Sequence, residues 1–151
     1  MSITQIEELR EIYGFAKGRT TQKQLDALEK HSIHFISLSP FLILSTANIN
    51  GQLDASPRGG KPGFIKVLDK KTILLPDSKG NKRLDSFVNI LSNPQVGCLF
   101  LIPGVDETLR LNGHAEISTD DTLKSHFTHL NNPPLTVLKI TIDEVFLHCA
   151  K

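Results

Sequence analysis

No run of apolar residues in this chain is long enough to cross a bilayer. Runs such as Phe41-Leu42-Ile43-Leu44 fall far short of the roughly 20 residues that a helical span requires. The opening stretch, MSITQIEELR, mixes Glu with Arg and has no apolar core of the secretory type, so a soluble, cytoplasmic protein is the expectation. An excess of charge of one sign is also missing. Lys plus Arg number 17 and Asp plus Glu 16, a net charge of +1, which argues against a globally basic nucleic-acid binder and against an acidic tail. Cysteine is sparse. Cys98 and Cys149 each sit in an apolar run and read as buried, reduced thiols rather than as a disulfide. There is no GxGxxG after a strand, no GxxxxGK[ST], no HExxH, no nucleophile elbow and no paired CxxC. Dinucleotide-fold, P-loop, zincin and α/β-hydrolase chemistries thereby lose their usual signatures.

What the chain does have is a globular composition, with 39% hydrophobic and 22% charged residues in 151. That length fits one domain, 1–151, able to bury about 68 to 70% of its unfolded surface without a metal or disulfide staple. Residues 1–38 read as a helical N-terminal extension packed on the rest. Ile6, Leu9, Ile12 and Tyr13, then Leu25, Leu28, Ser32 and Phe35, recur at helical spacing until Pro40. From Phe41 the period becomes that of strands. Phe41 to Ala47 and Leu53 to Ser56 flank the turn signal Asn50-Gly51. The loop Pro57-Arg58-Gly59-Gly60-Lys61-Pro62-Gly63 should admit no regular element. Phe64 to Leu68 and Thr72 to Leu75 make a second hairpin, and Leu84, Phe87, Val88 and Leu91 predict a short helix ending at Asn93-Pro94. Val96 to Ile102 predicts a strand, Thr108 to Ser118 a less regular one, Thr119 to Leu130 a helix, and Leu135 to Cys149 a long β finish. Six or seven strands with so few helices between them point to a small antiparallel barrel rather than a parallel sheet.

Charge is unevenly spread. Between Arg58 and Arg83 eight cations face two anions, a surplus of six that leaves −5 for the remainder. If the ends of that segment converge they could hold an anion. Arg58 sits beside Gly59 and Gly60, where backbone can approach a ligand, and Lys82 and Arg83 fall in the opening turn of a helix, whose N–H groups favour phosphate. Solvated charges on two hairpins are the plainer reading of the same segment. His31 with His34, and His126 with His129, are spaced i, i+3 as a metal pair could be, but no third ligand of suitable spacing accompanies them, and no metal is expected. Arg110 and Asn112 share one strand face.

In order, these residues resemble the pyridoxamine 5'-phosphate oxidase-related flavoproteins, which bind FMN in a split β-barrel. The matching stretches are Ser39-Pro40-Phe41, Asp54 to Gly59, Leu75-Pro76-Asp77 with Gly80-Asn81, Asn93-Pro94, Phe100 to Gly104 and Glu107 to Gly113. The pattern is closest to the branch carrying SPRG and FLIPG. The resemblance implies a mainly β, antiparallel Greek-key split β-barrel with N-terminal helices and one or two inserted short helices. It also implies FMN as cofactor and a homodimer with the flavin at the subunit interface, acting on a small-molecule substrate or electron donor. Arg58, Lys82 and Arg83 would hold the phosphate, with Gly59 at the strand end, Asp77 and Asn81 shaping the turn, and Thr108 and Arg110 near the ring. An FMN-dependent oxidoreductase of unknown substrate is the leading expectation. A flavin- or haem-binding split-barrel protein without turnover is the alternative, and a deazaflavin could stand in place of FMN. No partner nucleic acid or membrane is implied.

Overall fold

Along β1 (Phe41–Ala47), Leu42, Leu44 and Thr46 are buried, while Phe41 and Ile43 between them are half-buried and Ser45 is exposed. This strict alternation fixes one face of the strand to a core and the other to a different environment. The structure is a computed structural model describing residues 1–18, 24–77 and 83–149. Six more strands follow: β2 (Leu53–Gly59), β3 (Lys66–Asp69), β4 (Thr72–Asp77), β5 (Gln95–Leu101), β6 (Glu107–Ser118) and β7 (Thr136–Cys149). They form one seven-stranded sheet in the order β2-β1-β5-β6-β7-β4-β3, every ladder antiparallel. The mainly β, antiparallel split-barrel architecture expected from the sequence is the one observed.

The sheet curls so that its ends approach without a ladder between them. Arg58 on β2, at one edge, reaches Asp77 on β4, near the other edge. Inside the curl lie Leu42, Leu44, Phe100, Leu109, Leu111 and Ile140, all fully buried. Helix α3 (Asp85–Ser92) lies across β1 and β2 and contributes Phe87 and Ile90 to this core. Gly113 sits at a bulge in β6, where a Cβ would overlap the carbonyl oxygen of Thr141. Of the N-terminal extension, α2 (Lys30–Leu38) buries Ser32, Phe35 and Ile36, whereas α1 (Ile6–Tyr13) buries no residue at all.

Four local expectations are corrected. β2 does not stop at Ser56 but runs through Pro57 and Arg58 to Gly59, with Pro57 opposite Ile43 and Arg58 opposite Leu42. Proline is tolerated because β2 is an edge strand, with only β1 to satisfy. The helix expected over Thr119 to Leu130 shrinks to α4 (Asp121–Lys124) and a 3-10 turn at Ser125–Phe127. Phe127, fully buried against Leu74 and Val137, pins the chain there, and Pro133 and Pro134 lie just beyond. Leu25 is not helical; its N–H and carbonyl exchange bonds with Val145 of β7, and Glu29 accepts from the Ser32 N–H to start α2 only at Lys30. Finally, Cys98 is buried as expected but Cys149 is exposed, and both are free thiols.

Candidate functional site

Arg58, next to last on β2, shares a strand face with Ser56 and Asp54, which continue the period that brings Leu42, Leu44 and Thr46 inward on β1. A guanidinium cannot join that core, and it emerges where the curled sheet is split. Its Nη1 donates to Asp77 Oδ1 at 2.7 Å and its Nε to Ser56 Oγ at 3.1 Å. The two charged side chains are 21% and 22% exposed, so the pair is half-desolvated. The ring of Phe87 lies 5.7 Å from the guanidinium carbon, which keeps the Arg58 plane against the first turn of α3. Nη2 makes no hydrogen bond among the described residues.

The start of α3 adds backbone donors. Leu84, its N-cap residue, adopts φ 59° and offers no side-chain cap, so the first amides of the helix are not satisfied from that position. Ser86 Oγ instead donates to Asp54 Oδ2 at 3.3 Å, and Arg83 pairs with Asp85 at 2.9 Å on the open surface. A phosphate ester fits this corner in two ways: a guanidinium nitrogen is free for it, and uncapped helix amides lie within one turn. In a third respect the corner resists, because Asp77 and Asp85 already pair with Arg58 and Arg83, and Asp54 adds a further carboxylate at the helix start.

The +6 segment does not converge as a whole. Lys70 and Lys71 lie at the β3–β4 turn, the end of β4 opposite Asp77, about 17 Å away at the rise of a strand. There Lys71 Nζ donates to the Asp26 carbonyl. At the Asp77 end Arg58 contacts Asp77 and Arg83 precedes α3; Asn81 and Lys82 fall outside the described residues. The glycines beside Arg58 are closely packed. A Cβ at Gly59 would press on the Pro40 carbonyl at 3.2 Å, and one at Gly60 would meet Phe64 at 2.9 Å.

Thr108 and Arg110 are elsewhere. Register pairs Arg58 with Leu42, Leu42 with Phe100 and Phe100 with Leu109, so these four share the inner face. Arg110 pairs with Leu99 and Leu99 with Ile43, which puts Arg110 and its face-mate Thr108 on the outer side of the same sheet. There the Thr108 hydroxyl donates to the His148 carbonyl at 2.7 Å, and Arg110 stacks on Phe146 at 4.8 Å. One chain therefore brings Arg58, Asp77 and Arg83 to one corner and keeps Thr108 and Arg110 away from it. Ser56 and Phe87, which fix the guanidinium, were not singled out from the sequence as site residues. Ser56 was visible in the i, i+2 spacing to Arg58, but Phe87 read only as a core residue.

An open cavity of about 260 Å³ lies at the junction of α2 with β6 and β7, between Leu25, Glu29, Leu109 and Val145. It is smaller than the 300 to 1,000 Å³ typical of small-molecule sites, and none of Arg58, Asp77, Arg83, Thr108 and Arg110 lines it. Among the described residues no group of three His, Cys, Asp or Glu side chains is arranged to hold a metal ion. No helix among the described residues is long and apolar enough to cross a membrane.

Comparison with known proteins matches this fold. No curated protein matches the chain. Among solved structures it resembles HupZ of Group A Streptococcus at 19% identity, covering 82% of this chain and 96% of that one with a TM-score of 0.65. A provisionally assigned pyridoxamine 5'-phosphate oxidase from Lactobacillus delbrueckii gives 21% identity, coverages of 82% and 98%, and a TM-score of 0.65. An FMN-binding protein from Syntrophomonas wolfei gives 14%, coverages of 79% and 82%, and 0.58. At these identities the likeness concerns the fold. The family model for pyridoxamine 5'-phosphate oxidase, however, matches residues 28–149, most of the chain. The chain belongs to the pyridoxamine 5'-phosphate oxidase family.

Proposed function

We propose that this chain is an FMN-dependent oxidoreductase that works as a homodimer, with each flavin held between subunits. The observation carrying the proposal is the half-desolvated Arg58 guanidinium at the split of the barrel, one nitrogen free, beside the uncapped start of α3. Bound FMN would supply hydride or electron transfer at its ring. The residues of this chain would orient and exclude water. Arg58 and the α3 amides would take the phosphate, with Arg83 and Lys82 adding positive charge, and Asp77 and Asn81 would shape the turn. Thr108 and Arg110, on the opposite sheet face, would meet the ring bound by the other subunit. The outer face suits such pairing. It offers the half-buried side chains of Phe41, Ile43, Leu99 and Phe146, an apolar surface on the outer side of the curled sheet.

Titration of the purified protein with FMN, followed by flavin fluorescence, tests the cofactor. Binding at micromolar flavin is expected, weakened by about ten- to a hundredfold in Arg58→Ala, since losing a charge-assisted contact costs roughly 1.5 to 3 kcal/mol. Absence of binding by the unmodified protein would overturn the reading. Turnover is a separate question: photoreduced, protein-bound flavin should pass electrons to a suitable acceptor faster than free flavin does, and equal rates would leave a flavin-binding protein without enzymatic activity.

A further inference from the structure

Among the described residues, the cations at the corner that would take a phosphate are already paired with its own carboxylates. Arg58 gives Nη1 to Asp77 and Arg83 pairs with Asp85, while Asp54 accepts from Ser86 at the same helix start. The formal sum over these five charged groups is negative, the reverse of an open anion cradle. The Arg58–Asp77 contact differs from the other pair in its setting. It is half-buried where Arg83 and Asp85 are 73% and 48% exposed, and it joins β2 to β4 across a gap that no ladder closes. It is also a single-point contact. Only one oxygen of Asp77 and one terminal nitrogen of Arg58 are engaged. That leaves the pair without the two-point geometry in which a carboxylate and a guanidinium hold each other best.

We propose that Asp77 is an internal competitor for the anion site: its carboxylate holds the guanidinium that a phosphate ester takes, and binding of the ester displaces it. The proposal rests on the reading of Arg58 as a phosphate ligand. Its physical basis is that a dianionic phosphate and a carboxylate cannot both lie against one half-desolvated guanidinium without strong repulsion. Asp77 thus sets the affinity and the charge preference of the site. A ligand lacking the phosphate does not feel the competition.

The test compares the unmodified protein with Asp77→Asn, which keeps an oxygen able to accept from Nη1 and removes the charge. FMN and riboflavin are titrated by fluorescence, and inorganic phosphate by the NMR shift of the Arg58 Nε–H. Asp77→Asn should bind FMN and inorganic phosphate roughly three- to tenfold more tightly, with riboflavin unchanged. Equal or weaker FMN binding would mean that Asp77 positions Arg58 rather than competes with the ligand, and would overturn the proposal while leaving the flavin reading intact. An equal gain for riboflavin would overturn it too. If neither protein bound either flavin but Asp77→Asn still gained affinity for phosphate, the competition would stand and the flavin reading would fall. No response of Arg58 Nε–H to FMN or phosphate in either protein would sink both.

Discussion

At the scale of single residues, the two cysteines separate most clearly. Cys98 lies on the inner face of β5, opposite Leu44 and Leu111, and burial pushes its thiol from 9.0 up to about 12. Between those pH values the unfolded chain releases a proton that the folded chain retains. Stability therefore falls as pH rises through this window, by about 1.4 kcal/mol per pH unit, and below it this thiol has no effect. Urea unfolding at pH 8 and pH 10 should show that loss in the unmodified protein and not in Cys98→Ala; matching losses in both would refute the assignment. Cys149, by contrast, is exposed. Its apolar run made both thiols look buried, because composition reports the strand and not which residue ends it. The anion corner was legible to a similar depth. Arg58 and Arg83 stood out by charge, and Asp77 by resemblance. The contact between Arg58 and Asp77 was not visible, since they are 19 positions apart and meet only when the sheet curls.

Among the elements, hairpins and the helix Asp85–Ser92 were readable because their signals are local: Asn50-Gly51 at a tight turn, with Gly51 at φ 79°, and an apolar i, i+3, i+4, i+7 stripe. The misread elements were decided by tertiary position. Proline inside β2 is acceptable only because sheet order puts β2 at an edge, and α4 stays short because Phe127 is claimed by Leu74 and Val137. Helix α1 shows the reverse case. It is amphipathic, with Ile6, Leu9, Ile12 and Tyr13 at helical spacing and a Gln5–Glu8 capping box, yet it buries none of its residues. A helix that buries no residue should contribute little to stability. Removing residues 1–16 should then change the unfolding free energy by no more than about 0.5 kcal/mol. A larger loss in a denaturant titration would mean that α1 is packed against something in solution, a second chain included.

For the whole molecule, the consequential fact is that one curled sheet separates the candidate residues onto its two sides. Arg58 shares the inner face with Leu42 and Phe100, and Arg110 the outer face with Ile43 and Leu99, so within one chain the two lie on opposite sides of the sheet. If both serve the same flavin, they must do so from different subunits. This makes a shared site testable by mixing. Arg58→Ala and Arg110→Ala should each weaken FMN binding alone. When the two variants are unfolded together and refolded, half of the dimers should contain one chain of each. In such a dimer one site keeps Arg58 from the Arg110→Ala chain and Arg110 from the Arg58→Ala chain, and the other site lacks both. About a quarter of all sites should therefore regain unmodified affinity, seen as a distinct high-affinity phase in the FMN titration. A mixture that behaves as the plain average of its two components would place each site within a single chain and remove Arg110 from it.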